Sequence, residues 1–141
     1  MSELERRKAA VIATRTRFAA RPFAFGRVDC VRVAAWHLRQ FGHKPVGLAK
    51  AGSYRSALGA RRALTRAGHA TLADAVAAIG LEERAPAAAW LGDLLVKPGT
   101  DGLDAIGIVA GSSLVLGFHQ DQEAIDMLRL VDFADARAFH L

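Results

Sequence analysis

The sequence has one cysteine, one tyrosine and four prolines in 141 residues. A single thiol excludes an internal disulfide and a multi-cysteine metal site. No apolar run approaches the roughly 18 residues of a membrane span. The opening Met1-Ser2-Glu3-Leu4-Glu5-Arg6-Arg7-Lys8 lacks the charged-then-apolar order of a signal peptide, so synthesis in the cytoplasm is expected. Metal-ligand spacings such as His-x-x-x-His and glycine-rich phosphate loops are missing, so neither a metal nor a cofactor is expected. Repeats and low-complexity tracts are absent, and one domain over residues 1–141 is long enough for a real core.

Acidic residues are scarce in the first half. Residues 1–68 hold 15 Lys/Arg against 3 Asp/Glu, and residues 69–141 hold 4 against 11, giving +12 and −7 and a net +5. A basic half raises the possibility of a nucleic-acid module. Its charges are spread along helices without interleaved aromatics, which argues for a solvated face or for docking to an acidic partner.

What is present centres on Pro22-Phe23-Ala24-Phe25-Gly26-Arg27-Val28-Asp29-Cys30. This reads as a turn that delivers the one thiol to the first turn of a helix. Gly26 allows the bend, Phe23 and Phe25 anchor it in the core, and Asp29 is the N-cap. Backbone N–H groups and the positive end of the helix dipole favour a thiolate there. A buried cysteine that merely packs is the alternative.

In chain order, Ser2 and Glu5 form a capping box for a helix from Glu3 to Phe18, with Leu4, Val11, Ile12 and Phe18 on its inner stripe. A second helix runs from Cys30 to Phe41 and stops at Gly42. Its buried contacts are Val33, Ala34, Trp36, Leu38 and Phe41, and Arg32 and Arg39 share an exposed face. His43 to Ser53 is a loop broken by Pro45, Gly47 and Gly52. A third helix covers Tyr54–Leu64 and ends by Gly68, with Gly59 permitting close packing. Thr71 caps a short helix to Ile79. Leu81–Ala89 is an irregular connection, and Trp90–Val96 is a turn feeding a strand. A turn over Lys97–Gly102 leads to strands Asp104–Gly111 and Leu114–Phe118, joined at Ser112-Ser113. Ala124–Val131 supplies a fourth strand, and Phe133–Leu141 a last turn and tail. Helices first (1–80) and a small antiparallel sheet after (90–141) give an α+β fold. Trp36 and Trp90 read as core or rim packing.

The aromatic-Gly-x-x-Asp-Cys segment resembles the nucleophile segment of NlpC-type papain-like cysteine peptidases, which cut peptide stems of bacterial cell walls. A small phage and prophage family of that fold, encoded among tail genes including those of gene transfer agents, is closer still. The cysteine turn, Tyr54-Arg-x-Ala-x-Gly-Ala and the closing Arg137-Ala138-Phe139-His140-Leu141 are similar to it, and Gly92-Asp93 before a strand resembles the start of the sheet in the NlpC-type fold. The resemblance covers nearly the whole chain. It implies Cys30 as nucleophile and, as partners, other tail proteins in a virion tail or phage-like particle, with a peptidoglycan stem peptide as possible ligand.

It also implies a histidine just before the Ile106-Gly107-Ile108 run, where this chain has Ala105. The polar group that would orient such a base falls near Leu116 or Gly117, and neither serves. His37 lies about 10 Å along the helix from Cys30. His43 and His69 read as exposed, and His140 is near the terminus. His119, after the third strand, is the best substitute base, ahead of Asp104, and Asp29 is more a cap than a catalytic acid. The expectation is a tail-tip or tail-assembly protein with weak or absent hydrolysis. An active cell-wall peptidase or amidase acting through Cys30, Asp29 and His119 is the alternative, and a nucleic-acid module the third reading.

Overall fold

The computed structural model describes residues 1–45, 54–99, 102–119, 123–130 and 135–141. The remainder of the expected 43–53 loop, including Gly47 and Gly52, and parts of the turns at 97–102, 119–124 and 130–135 lie outside the described residues. Among the described residues, four α-helices precede the main part of a six-stranded sheet: α1 (Glu3–Phe18), α2 (Cys30–Gln40), α3 (Ala57–Arg66) and α4 (Leu72–Ala77). The strands are β1 (Glu82–Arg84), β2 (Leu94–Lys97), β3 (Ala105–Gly111), β4 (Leu114–Gly117), β5 (Asp126–Arg129) and β6 (Arg137–His140), with a 3-10 turn at Pro86–Ala88. Their order across the sheet is β1-β6-β2-β3-β4-β5, and every neighbouring pair is antiparallel. The fold is α+β.

Local chemistry sets the helix starts. Ser2 accepts from the Glu5 N–H while Glu5 accepts from the Ser2 N–H, a complete capping box. Asp29, Ser56 and Thr71 each cap the next helix by accepting a first-turn N–H. The third helix therefore starts at Ala57 rather than Tyr54. Tyr54 instead packs back on Gly59, where an added Cβ would stand 3.3 Å from the Tyr54 Cβ.

The sheet has two faces, and alternation along each strand assigns residues to them. One face bears Leu94, Val96, Ile106, Ile108, Leu116 and Phe139, which pack with Val11, Phe18, Val33, Ala34, Leu38, Leu72 and Val76 of the helices. Leu38 and Phe139 are fully buried, each contributing about 2 kcal/mol by removal from water. The other face bears a smaller cluster of Leu95, Val115 and Ala138.

Four further expectations are corrected. On α1 the buried stripe is Arg7, Val11, Thr14 and Phe18, whereas Leu4 and Ile12 are exposed. The reason is polar pairing, since Arg7 meets buried Asp93 and Thr14 meets buried His37. The connection after Leu81 contains β1, and the closing segment is not a tail. β6 lies inside the sheet between β1 and β2. On α2, Arg39 is exposed but Arg32 is half-buried and donates its Nε–H to the Gly26 carbonyl at 3.1 Å.

Candidate functional site

The Cys30 turn is built by short-range bonds. Ala24 and Val28 exchange both backbone hydrogen bonds, each at 2.9 Å, and close a tight loop around Gly26. Gly26 has φ +79, and an added Cβ would collide with the Tyr54 carbonyl oxygen. Only glycine meets both demands. Asp29 is 3% exposed. Its Oδ1 accepts from the Arg32 N–H at 2.8 Å, and its Oδ2 accepts from the Gly26 N–H at 2.8 Å and from the Tyr54 hydroxyl at 2.6 Å. This carboxylate is a helix cap and a clamp for the turn, with its lone pairs committed to three donors. Burial first, and then Asp29, push the Tyr54 phenol well above its ordinary pKa, so it remains a donor.

Cys30 is half-buried and opens into a cleft of about 580 Å³. Phe23, Phe25 and Phe118 form one wall. Phe23 packs edge-to-face on Phe25 at 4.8 Å and on Phe118 at 5.2 Å between ring centroids. Phe23 is 38% exposed and walls the cleft rather than anchoring the turn in the core, whereas Phe25 is half-buried and packs against Tyr54, Ala60 and Ala63. Tyr54, Leu103, Asp104, Ala105, Ile106 and His119 also line it.

The strands opposite Cys30 decide what faces the thiol. Ile106 and Ile108 are buried on the face covered by α2, and Phe118 packs with the same cluster. Alternation puts Asp104 with them, and its Oδ2 accepts the Ala73 N–H at 3.0 Å, at the start of α4. Ala105 belongs with Gly107 and Val109 on the other face. Ile108 pairs with Leu116 and Val109 with Val115; carried onward, this register sets His119 across from Ala105. Both are exposed, and they meet the cleft at its rim.

The remaining histidines are accounted for elsewhere. His37 is fully buried, donates from Nε2 to the Gly92 carbonyl at 2.8 Å, and accepts at Nδ1 from the Thr14 hydroxyl at 2.7 Å. Burial lowers its pKa to about 4, the Arg7 charge adding to the effect and the Gly92 carbonyl and Asp93 opposing it. His140 has Nδ1 3.0 Å from Asp93 Oδ1, while Arg7 faces its other ring nitrogen at 3.3 Å. Asp93, fully buried, also accepts from Arg7 at 3.0 Å and from the Trp90 N–H at 2.8 Å. Arg7 further donates to the Leu91 and Leu141 carbonyls. The pair thus ties α1 to the β2 entry and the end of β6. His43 and His69 are half-buried rather than exposed, and neither lines the Cys30 cleft. Trp36 joins the core, and Trp90 sits at the rim, 52% exposed.

The site thus gathers Cys30, Asp29 and His119 around one cleft but gives them different positions: thiol within, carboxylate committed to the cap, imidazole at the rim. Tyr54 was not legible as a site residue. The signal was its place beside Gly59 in a run otherwise rich in small residues and arginine. Among the described residues, no cluster of His, Cys, Asp and Glu suits a metal ion, and no helix is long and apolar enough to cross a membrane.

No curated protein and no solved structure matches the chain. A family model does, over residues 2–140, and the chain belongs to that family, described as a domain of unknown function (DUF6950).

Proposed function

We propose that this chain is a tail-tip or tail-assembly protein of a phage or phage-like particle, whose papain-like, NlpC-type cleft binds a peptide without cleaving it. One observation carries the reading. Asp104, just before β3, shares the helix-covered face with Ile106 and Ile108, and its carboxylate is engaged by the Ala73 N–H, while position 105 is alanine on the opposite face. Thiol hydrolysis requires a base that takes the Sγ proton and returns it to the leaving amine. Alanine supplies neither step. The cleft keeps what binding needs: a capped helix start, an aromatic wall and open volume.

The second reading is an active cell-wall cysteine peptidase or amidase. It is favoured by His119, which lines the same cleft as Cys30. In that case His119 accepts the thiol proton, Sγ attacks the amide carbon, the C–N bond breaks as His119 protonates the amine, and water releases the thioester. The two readings separate in the gene's own particle and on purified peptidoglycan. The binding reading expects Cys30→Ser particles to assemble normally and wild type to release no muropeptides. Release that disappears in Cys30→Ala establishes the second reading instead.

A further inference from the structure

The Cys30 cleft does not end at Asp104. Leu103 and Asp104 also line a second groove, of about 280 Å³, between α3 and the start of α4. On the α3 side it is lined by Arg61, Arg62 and Thr65. Residues 54–68 contain no acid, and neither Arg61 nor Arg62 forms an ion pair among the described residues. The Arg61 side chain is exposed. It lies against the backbone of Gly102, where an added Cβ would be 3.3 Å from both Cζ and Nη1. Gly102 has φ +77 and no side chain, which permits that approach.

Two exposed guanidiniums that form no ion pair among the described residues, one of them lying against Gly102, make a recognition site for a carboxylate, since the guanidinium fork matches its two oxygens. The groove is too small for a folded partner's surface and has room for one or two side chains. Its junction with the Cys30 cleft carries Asp104, which repels a second carboxylate there and keeps the anion over α3. The cleft itself is walled by Phe23, Phe25 and Phe118.

We propose that the two grooves form one bipartite site for an acidic peptide segment, which seats an apolar side chain in the Cys30 cleft and a neighbouring carboxylate on Arg61 and Arg62. This rests on the peptide-binding reading of the cleft but not on the absence of hydrolysis.

The test uses the full chain and two fluorescent probes, acetyl-Phe-Ala-Glu-Glu-amide and its Gln-Gln counterpart. Wild type is expected to bind the acidic probe at least about tenfold more tightly. The Arg61→Gln/Arg62→Gln variant is expected to lose that preference, and Arg66→Gln, on the same helix but outside the groove, to keep it. Both variants are checked for wild-type thermal unfolding. An Arg61→Glu/Arg62→Glu variant is expected to reverse the preference toward a Lys-Lys probe, which keeps the proposal testable if the Gln variant unfolds. Equal affinity for the acidic and amide probes overturns it. So does a 12-nucleotide single strand that binds through the same arginines more tightly than the acidic peptide. Hydrolysis of a probe by wild type refutes the non-cleaving reading while leaving the carboxylate subsite standing.

Discussion

Tyr54 donates its hydroxyl to the Asp29 carboxylate across 2.6 Å, and its own backbone carbonyl closes over Gly26. One residue from the segment before α3 therefore holds both the cap of α2 and the turn that precedes it. Replacing Tyr54 by Phe keeps the ring and removes the bond. Asp29, 3% exposed, is left with two of its three donors. A hydrogen bond to a buried charge is worth about 2 kcal/mol, and Tyr54→Phe is expected to destabilise the fold by that amount in urea unfolding. A loss below about 0.5 kcal/mol contradicts the clamp.

Arg7 and Asp93 are 2% and 0% exposed. Removing one member of a buried pair strands the other charge, a loss of about 3–5 kcal/mol. Asp93→Ala is expected to fall in that range. Adding Arg7→Met is expected to recover only part of it, because the Trp90 and Leu141 N–H groups still lack their acceptor. Full recovery in the double variant contradicts the proposed role of Asp93 as a shared acceptor.

His37 gives the stability a pH dependence. Its folded pKa is about 4 against an ordinary 6.5. Between these values the unfolded chain binds a proton that the folded chain does not, so stability rises with pH across this window. The contribution is complete above about pH 6.5 and is lost as pH falls toward 4, by about 3 kcal/mol. Glu3 and Glu83, whose pKa values are lowered by arginine partners, act below their ordinary 4.5 and leave the upper part of the window to His37. Urea unfolding between pH 4.5 and 7 is expected to show this slope in wild type and to lose most of it in His37→Gln. A flat wild-type profile contradicts a buried neutral imidazole.

The elements that local chemistry fixes were legible in the sequence. Ser2 with Glu5, and Asp29 before Cys30, are short-range signals, and both caps form as read. The β3–β4 hairpin followed from its apolar runs. What depends on distant partners was not. Arg7 and Thr14 are buried on α1 because Asp93 and His37 receive them, and no periodicity of hydrophobic residues announces that. β1 is Glu82-Glu83-Arg84, too short and polar to read as a strand until β6 pairs with it. At the site, Cys30 and Ala105 were visible, but the side of the sheet on which Ala105 falls follows from a register set across three strands.

The most direct measurement is single-turnover incubation of wild type, Cys30→Ala and His119→Ala with a cell-wall stem peptide at neutral pH, read by mass spectrometry for product and for acylated Cys30. The account predicts no acyl-enzyme and the same background rate for all three proteins. A wild-type rate at least about a hundredfold above both variants, with acylated Cys30 trapped on the way, contradicts it.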